Sequence, residues 1–404
     1  MPAPPPVHVV GAGPGGLAAA AALAQRGLRA VVLERAPDVG GAWRGHYDRL
    51  RLHTTRRGSA LPGLAIPRSA GRWVGRDEFV RYLESYARRH RIELAAGVTV
   101  ARVDPAGDAP GDWLLRANGG RELRARAVVV ATGRNHTPHL PDWPGAAAWD
   151  GELLHAADYR SPARFAGRDV LVVGAGNSGA DIAADLAAGG AGRVRLAVRT
   201  APHILRKTIL GWPYQRGATL VGRLPAPVAD RLAAPAARLI PDLAAHGLPR
   251  PEGGLYTRLR QGRFPVLDDG LVRAVRRGEV EPVPAVVAFE GGKVLLADGE
   301  AIGPEVVIAA TGYRTGLEPL VGHLGVLDAS GLPPAAGRRA HPAAPGLHFT
   351  GFGTPPGGTL HRLGREAGRI AAAISATQRE RPRRARAARP SRRDRRGSRP
   401  GAAE

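Results

Sequence analysis

Two short, largely apolar runs lie far apart in the chain, and a glycine-rich turn follows each of them. The runs are Val7–Val10 and Val170–Val173, and an alanine-rich segment comes after each turn. A short apolar run bounded by a glycine turn is typical of a buried strand, and the alanine-rich segments predict helices. The pattern therefore predicts two strand–turn–helix units of the same design.

The residues around the first unit complete a β-α-β arrangement. Pro14–Arg26 is expected to form the helix and Ala30–Glu34 the next strand. Arg76–Arg89 spaces its apolar residues for one face of a further helix. The second unit spans Asp169–Arg199, and Thr359–Ala376 is expected to form a final helix.

Alternating segments between these units predict small antiparallel sheets. Val98–Val103, Asp112–Ala117 and Glu122–Val130 alternate like a three-stranded meander, and Val283–Ile308 supplies further short strands. Each group ends in an Ala-Thr-Gly turn, at 131–133 and again at 310–312. This repeat predicts two chain crossings between two domains.

The predicted fold class is α/β, with two Rossmann-like domains, one inserted in the other, each of three-layer β-β-α/α-β-α type. We expect the first domain to comprise residues 1–148 and 312–377, and the second to comprise residues 149–311. A helical insert is expected near residues 201–262. The length of 404 residues suits two domains with sizeable cores.

The glycine turns are the candidate ligand-binding sites of the chain. One contains Gly11, Gly13, Gly15 and Gly16, and the other contains Gly174, Gly176 and Gly179. A strand, a tight glycine turn and a helix N-terminus together form a pyrophosphate cradle, because backbone N–H groups and the helix dipole face the ligand. Two such turns in this context predict two dinucleotides, with electrons passing from one to the other.

The absence of cysteine limits which groups can accept those electrons. The chain contains no cysteine, which excludes disulfides, thiolate metal sites and a redox cysteine pair. Reductases of the thioredoxin reductase type also pair two dinucleotide folds, but they pass electrons to cysteines. We expect no metal site.

The net charge of +23 does not by itself predict nucleic-acid binding. Only Lys207 and Lys293 are lysines, so nearly all the basicity is arginine, and aromatic residues make up only 5%. The tail at 378–404 holds 11 arginines against three acidic residues and is expected to be disordered.

The chain also gives no sign of membrane insertion or export. No apolar run approaches the roughly 20 residues of a membrane helix, and no basic segment precedes an apolar stretch at the start. We therefore expect no nucleic-acid partner, no stable membrane insertion and a cytoplasmic location. A homodimer is left open.

Two charged residues indicate which dinucleotides bind. Glu34 lies 18 residues after Gly16, where an acid binds a ribose hydroxyl, and suits the adenosine of FAD. Arg199 lies 20 residues after Gly179, where an arginine favours the 2′-phosphate of NADP. For both residues the alternative is an ordinary surface charge at the end of a strand.

Residues 149–159 resemble the signature of the class B flavoprotein monooxygenases. Trp149, Gly151, His155 and Tyr159 match its aromatic, glycine, histidine and aromatic positions, between the two glycine turns. Tyr159 followed by arginine is similar to the flavin-containing monooxygenases rather than to the Baeyer–Villiger enzymes. Trp149 departs from the usual phenylalanine.

Further stretches resemble the YUCCA-type branch of that family, whose plant members convert indole-3-pyruvate to indole-3-acetate. They lie at 47–53, 82–87, 174–179, 265–268 and 310–313, and the resemblance covers about residues 7–376. It implies FAD and NADPH as cofactors, with a small organic substrate and O2.

The resemblance assigns roles to particular residues. FAD binding is implied for Gly11, Gly13, Gly16, Glu34, Gly41 and Trp43. NADPH binding is implied for Gly174, Gly176, Asn177, Ser178, Gly179 and Arg199. The expected cofactor-binding set also includes Gly15, Arg35, Thr132, Gly133, Thr311 and Gly312, and the domain junction is assigned to Gly151, His155 and Tyr159.

The implied reaction inserts one oxygen atom of O2 through a flavin C4a-(hydro)peroxide. The substrate classes left open are a keto acid, a sulfide and an amine, and Arg56 or Arg57 is a candidate to meet an acidic substrate. His155 is a candidate for proton transfer, with a structural hydrogen bond as the alternative. Baeyer–Villiger oxygenation and a redox sensor or transport regulator with little turnover are the rival functions.

Overall fold

The computed structural model describes residues 4–107, 111–209, 212–213, 217, 221–222, 224–237, 241–334, 340–353 and 358–387. Two five-stranded parallel sheets organise this part of the chain, and each carries helices on one face and an antiparallel sheet on the other. The predicted α/β fold with two Rossmann-like domains is confirmed.

The first sheet consists of five parallel strands with Val7–Val10 at its centre. Val7 pairs with Ala30 on one side and with Ala127 on the other. In spatial order its strands are Leu347–Phe349, Ala127–Val130, Val7–Val10, Ala30–Glu34 and Glu93–Ala96. The central strand is buried on both faces, which explains why it is a continuous run rather than an alternating one.

Alternate residues of the first sheet enter two different cores. Val7 and Val9 pack against the helices, whereas Val10 packs against the antiparallel strands. The helices are Pro14–Ala24, which we call the first glycine helix, Arg76–Arg89, and Thr359–Ala387, which we call the C-terminal helix. The antiparallel strands are Val100–Pro105, Trp113–Ala117 and Arg121–Ala125.

The alternation predicted that Glu122–Val130 forms one strand of the meander, but the segment forms two strands that belong to different sheets. It divides at Arg126, whose backbone N–H donates to the Pro6 carbonyl. Ala127–Val130 is buried on both faces and joins the parallel sheet, whereas Arg121–Ala125 keeps a solvent-exposed face. Burial on both faces, rather than alternation, decides the sheet to which each half belongs.

The second sheet repeats this plan. In spatial order its strands are Glu152–His155, Val306–Ala309, Asp169–Val173, Arg193–Val198 and Glu281–Pro284. On one face lie the helix Asn177–Ala188, which we call the second glycine helix, and the helix Leu271–Arg276. On the other face lie the antiparallel strands Val286–Glu290, Lys293–Leu296 and Ala301–Ile302.

The two chain crossings lie side by side. Thr137–Pro138 pairs antiparallel with Tyr313–Arg314. Beyond the first crossing, Trp143 packs on Phe289 with ring centroids 5.8 Å apart, and the Phe289 N–H donates to the Pro144 carbonyl. Residues 143–148, assigned to the first domain from the sequence, therefore pack with the second.

The region expected as a helical insert, residues 201–262, contains both helices and strands. Its described residues include the helices Ala226–Ala237 and Leu255–Arg260, and Ile204–Arg206 pairs in parallel with Val266–Asp268. A two-residue antiparallel pair joins Thr208–Ile209 to Trp212–Pro213.

The C-terminal helix extends to Ala387, ten residues into the tail expected to be disordered at 378–404. Apart from Pro382, residues 378–387 are arginine, alanine, glutamate and glutamine, which are good helix formers, so the helix continues into this part of the tail without an apolar stripe. Residues 388–404 lie outside the described residues. Among the helices of the described part, none is long and apolar enough to cross a bilayer.

Candidate functional site

The first glycine turn has a closed back and an open front. Gly11 has φ of +105°, and a Cβ there would lie 2.8 Å from the Ala131 carbonyl oxygen. A Cβ at Gly16 would lie 1.8 Å from the Gly11 carbonyl oxygen, whereas a Cβ at Gly13 would meet no atom within 4 Å. Glycine is therefore required at Gly11 and Gly16, the closed back of the turn, because a side chain there would collide with the backbone. At Gly13, the open front, the backbone is exposed to a ligand.

The second glycine turn reproduces this geometry. Gly174 has φ of +110°, and a Cβ there would lie 2.7 Å from the Ala310 carbonyl oxygen. A Cβ at Gly179 would lie 1.8 Å from the Gly174 carbonyl oxygen, and a Cβ at Gly176 would meet nothing within 4 Å. Both turns therefore have the shape that a pyrophosphate requires.

The helices that follow these turns begin without any competing anion. The first glycine helix has Gly13 at its N-cap, and the second has Gly176. Neither helix has a side-chain cap or an acidic residue in its first turn. The first N–H groups of each helix are therefore left for an external acceptor, and the helix dipole favours a negative one.

Gly15 has a different neighbourhood from the rest of the first turn. A Cβ at this position would lie 3.4 Å from the Thr350 side chain and 3.5 Å from that of Leu363, on the C-terminal helix. The first glycine helix packs against the C-terminal helix along this line. Gly15 therefore serves helix packing in this structure, and its predicted cofactor contact stays a prediction.

Glu34 lies at the end of its strand, beside the first turn. Its Oε2 accepts a hydrogen bond from the Ala12 N–H at 2.6 Å, and its Oε1 accepts one from the Ala36 N–H at 2.9 Å. The carboxylate is buried, so backbone donors hold it next to the cradle. Arg35 points away into solvent, where its Nη1 lies 3.3 Å from His136 Nε2.

Gly41 lies beside Glu34, and Trp43 follows it in the short helix Gly41–Arg44; their predicted FAD contacts stay a prediction. A Cβ at Gly41 would lie 2.5 Å from the Ala36 Cβ and 3.6 Å from Glu34 Oε1, which explains the glycine. The Trp43 ring packs edge-on against Phe79, with centroids 4.6 Å apart.

The two Ala-Thr-Gly turns face the ends of the glycine turns. Thr132 Oγ1 is buried without a hydrogen-bond partner, whereas the Thr311 hydroxyl donates to the His139 carbonyl. Gly133 and Gly312 have φ of +80° and +88°, and a Cβ at either would meet no atom within 4 Å. An unpaired buried hydroxyl is costly, so a polar partner for Thr132 Oγ1 is expected, and a bound cofactor fits that requirement.

The Asn177 side chain bonds within the protein, and its predicted contact with the coenzyme stays a prediction. Its Nδ2 donates to the Pro265 carbonyl at 3.1 Å, and its Oδ1 accepts from the Leu267 N–H at 2.9 Å. The side chain therefore fixes the strand Val266–Asp268 against the second glycine helix. The half-buried Ser178 beside it is in the first turn of that helix.

Arg199 follows the second strand of the second unit. It is exposed, and it makes no hydrogen bond or ion pair within the described part of the chain. The turn that carries it is fixed, because the buried Arg258 donates from Nη1 to the Ala201 carbonyl at 2.7 Å. This places a free guanidinium on an anchored turn at the end of the strand, where the arrangement can receive a phosphate.

Gly151 is required by the aromatic residue that opens its motif. A Cβ at Gly151 would lie 2.2 Å from the Trp149 ring. That ring packs on Phe289 with centroids 5.2 Å apart, and its Nε1–H donates to the Gly292 carbonyl at 3.3 Å. Trp149 therefore replaces the usual phenylalanine without leaving the core of the second domain.

His155 uses both ring nitrogens for structure. Its Nδ1 accepts a hydrogen bond from the Ala157 N–H at 3.0 Å, so the proton lies on Nε2, which is 3.0 Å from the Gly312 carbonyl oxygen. Burial lowers the pKa of the ring and favours the neutral form. This geometry favours the structural alternative over proton transfer.

Tyr159 is buried, with its hydroxyl 2.8 Å from Asp185 Oδ2 on the second glycine helix. Burial and the neighbouring carboxylate raise its pKa well above the usual range, so the phenol stays neutral and donates. The signature thus anchors one strand of the second domain to the return crossing through His155, and to the second glycine helix through Tyr159.

Arg56 begins the short helix Arg56–Ser59, which follows the strand Arg51–Thr55. Its Nη1 donates to the Ile66 carbonyl at 2.9 Å, which holds the half-buried guanidinium in place. Arg57, the other candidate, is exposed. The strand lies against the start of the C-terminal helix, because a Cβ at Gly358 would lie 2.4 Å from Thr54 Cγ2.

Four residues that meet between the two domains received no role from the sequence. They are Tyr47, Arg49, Asp181 and Asp185. A signal was available, because Asp181 and Asp185 lie four residues apart within the apolar pattern of the second glycine helix. Acidic residues on a buried helix face require partners. No cluster suited to a metal ion occurs among the described residues.

Comparisons with known proteins agree with this arrangement. A family model described as pyridine nucleotide-disulphide oxidoreductase matches residues 8–208. Indole-3-pyruvate monooxygenase YUCCA1 of Oryza sativa subsp. japonica is 40% identical over 316 residues, covering 77% of each chain. Probable indole-3-pyruvate monooxygenase YUCCA3 of Arabidopsis thaliana is 35% identical over 358 residues, covering 85% of this chain and 81% of its own.

A solved structure extends the similarity to the fold. The flavin-containing monooxygenase from Stenotrophomonas maltophilia is 27% identical, with a TM-score of 0.69, and covers 92% of this chain and 98% of its own. Cyclohexanone monooxygenase, at 18% identity and a TM-score of 0.71, shares the fold.

Proposed function

Because the chain belongs to the class B flavin monooxygenases and is similar to the plant indole-3-pyruvate monooxygenases, we propose that its substrate is an aromatic 2-oxo acid. The enzyme is an FAD- and NADPH-dependent monooxygenase that acts on a small molecule with O2. The observation that carries the substrate class is the 40% identity, over 77% of each chain, to a relative named for indole-3-pyruvate.

The proposed reaction is oxidative decarboxylation. A 2-oxo acid, O2, NADPH and a proton give the carboxylic acid one carbon shorter, CO2, NADP+ and water. One oxygen atom of O2 enters the acid, and the other leaves in water. The bound cofactors supply hydride transfer and oxygen activation, and the chain supplies binding, orientation and exclusion of water.

The residues of the chain divide this work between two sites. We assign the cradle around Gly13, with Glu34 and Thr132, to FAD. The cradle around Gly176, with Arg199, is assigned to NADPH. The open front of each turn and the unpaired Thr132 hydroxyl support these assignments.

Arg56 is the proposed partner of the substrate carboxylate. Its guanidinium is held by the Ile66 carbonyl and is half-buried, and a charge-assisted hydrogen bond to a carboxylate is stronger where water is partly excluded. Arg57 is exposed and lacks this fixed geometry. Recognition through a carboxylate favours a keto acid over a sulfide, an amine or a simple ketone.

The test is a comparison of substrates and of these two arginines. With indole-3-pyruvate, Arg56→Gln should raise KM by about tenfold or more, consistent with the loss of one charge-assisted contact of roughly 1.5–3 kcal/mol. Arg57→Gln, the matched control, should change it less than twofold. Faster oxygenation of a sulfide, amine or cyclic ketone than of any 2-oxo acid would contradict the proposed substrate class.

A further inference from the structure

A segment of the first domain, residues 46–53, lies on the second domain, and we call it the docking segment. Its Tyr47 is buried within the apolar core of the second domain. There its ring lies edge-on to that of Tyr159, with centroids 6.2 Å apart. A side chain of one domain thus completes the core of the other.

Two carboxylates of the second glycine helix receive this segment. The Tyr47 hydroxyl donates to Asp181 Oδ2 at 2.8 Å, and Arg49 Nη1 lies 3.6 Å from Asp185 Oδ1. Both carboxylates are buried, with 7% and 9% exposure respectively. Buried carboxylates are costly without partners, so the second glycine helix depends on these donors. Both donors, Tyr47 and Arg49, come from the first domain.

Arg49 also contacts the loop that follows the strand Val266–Asp268. Its Nη2 donates to the Asp269 carbonyl at 2.5 Å, and the Asp269 carboxylate pairs with the buried Lys207 at 2.6 Å. A planar guanidinium that bridges two elements fixes direction as well as distance. The docking segment therefore contacts the second domain at the glycine helix and at the loop after Asp268.

The backbone of the docking segment is fixed from both sides. The Asp48 N–H donates across the domains to the Arg160 carbonyl at 2.9 Å. On its own domain, Arg76 donates from Nη1 to the His46 carbonyl at 2.7 Å. The segment is thus attached to both domains within a few residues.

We propose that Tyr47 and Arg49 are positioning residues that set the orientation of the NADPH domain relative to the FAD domain. Asp181 lies about one turn beyond Gly176, the open position of the NADPH cradle, so the attachment is made on the helix whose N-terminus receives the coenzyme. An apolar contact alone permits sliding, whereas directional hydrogen bonds to buried carboxylates define one arrangement. The proposal rests on the two cofactor sites and not on the substrate class.

The test uses three single variants. Tyr47→Phe removes only the hydroxyl, and Arg49→Gln removes the charge from a side chain that is 29% exposed. Tyr86→Phe is the matched control, because it deletes a buried hydroxyl bonded to the Pro62 carbonyl inside the first domain.

The first readout requires no activity. The Asp48 amide makes an interdomain hydrogen bond, so its hydrogen exchange reports separation of the domains. In the protein without coenzyme, Tyr47→Phe and Arg49→Gln should each exchange this amide at least tenfold faster than wild type. Tyr86→Phe should exchange it within twofold of wild type.

The second readout is anaerobic flavin reduction at saturating NADPH, without substrate. The two docking variants should reduce FAD at least tenfold more slowly, while the Kd for NADP+ and the rate of reduction by dithionite stay within twofold of wild type. The proposal is overturned if either docking variant matches Tyr86→Phe in Asp48 exchange or in reduction rate. It is equally overturned if the slower reduction is explained by a weaker Kd. Failure of the substrate proposal leaves both readouts unchanged.

Discussion

His155 Nε2 lies 3.0 Å from the carbonyl oxygen of Gly312, 157 residues later in the chain. This contact joins the domain-junction signature to the crossing that returns to the first domain. Since Nδ1 accepts from the Ala157 N–H, the imidazole is held as one neutral tautomer. Its place in the family signature is thus explained by the attachment of a strand to a crossing.

Replacing His155 should therefore damage stability more than chemistry. His155→Ala removes two hydrogen bonds and leaves a cavity, and it should lower the free energy of unfolding by about 2–4 kcal/mol. The pH profile of kcat should keep its shape, because we expect the ring to act only through its two hydrogen bonds. Denaturant unfolding and a pH–rate series check this, and loss of one limb of the profile in a stably folded variant would restore a role in proton transfer.

The two glycine cradles should be separable by equivalent substitutions. Gly13→Val fills the open front of the first turn, so the protein should fold but contain less than a tenth of the wild-type FAD. Gly176→Val should retain FAD and lose detectable NADP+ binding. Flavin absorbance and coenzyme titration measure the two effects.

Gly75→Val is the control for both cradle variants, because it is equally open, has φ of −73° and lies outside the cradles. It should bind both cofactors normally. Normal FAD content in Gly13→Val, or normal NADP+ binding in Gly176→Val, would refute the corresponding site assignment.

Arg199 should determine the choice between NADPH and NADH. Loss of a charge-assisted contact to the 2′-phosphate costs on the order of 1.5–3 kcal/mol. Arg199→Ala should therefore raise KM for NADPH about tenfold or more and leave KM for NADH within twofold. Arg124→Ala, which removes an exposed arginine of the antiparallel sheet, serves as the control. Equal use of both coenzymes by the wild type would make Arg199 an ordinary surface charge.

The buried His348 should make stability depend on pH. Burial lowers its pKa from 6.5 to about 4, so the unfolded chain takes up a proton first as the pH falls. The free energy of unfolding is therefore unaffected by His348 above about pH 6.5. As the pH falls from there to about 4, protonation of this histidine in the unfolded chain lowers the free energy of unfolding by up to about 3 kcal/mol. His348→Leu should lose correspondingly less stability over that range in denaturant titrations. Parallel losses in both proteins would show that His348 does not titrate on unfolding.

Local motifs made much of the fold predictable. The strands before Gly11 and Gly174, the glycine turns and the start of each glycine helix depend on residues close together in sequence, so the pattern located them correctly. The Ala-Thr-Gly repeat likewise indicated two crossings, which lie side by side in the structure.

Features set by tertiary contacts were not predictable in the same way. The division of a segment at Arg126 depends on which sheet buries each half. Asn177 was assigned to the coenzyme, which stays a prediction, and nothing in the sequence indicated that its side chain bonds to a strand nearly 90 residues later. In the sequence Asp181 is only a polar residue on a helix, because its hydrogen-bond donor, Tyr47, lies 134 residues away in the chain.

We propose that the enzyme uses NADPH to incorporate one atom of O2 into the carboxylic acid that it forms from an aromatic 2-oxo acid. The most direct measurement is turnover of indole-3-pyruvate with NADPH under ¹⁸O2, followed by mass spectrometry of the product and by assays of CO2, NADPH and hydrogen peroxide. We expect indole-3-acetate carrying one ¹⁸O atom, with one NADPH consumed and one CO2 released for each product molecule. Product without ¹⁸O, or NADPH consumed only to form hydrogen peroxide while the 2-oxo acid remains intact, would contradict the account.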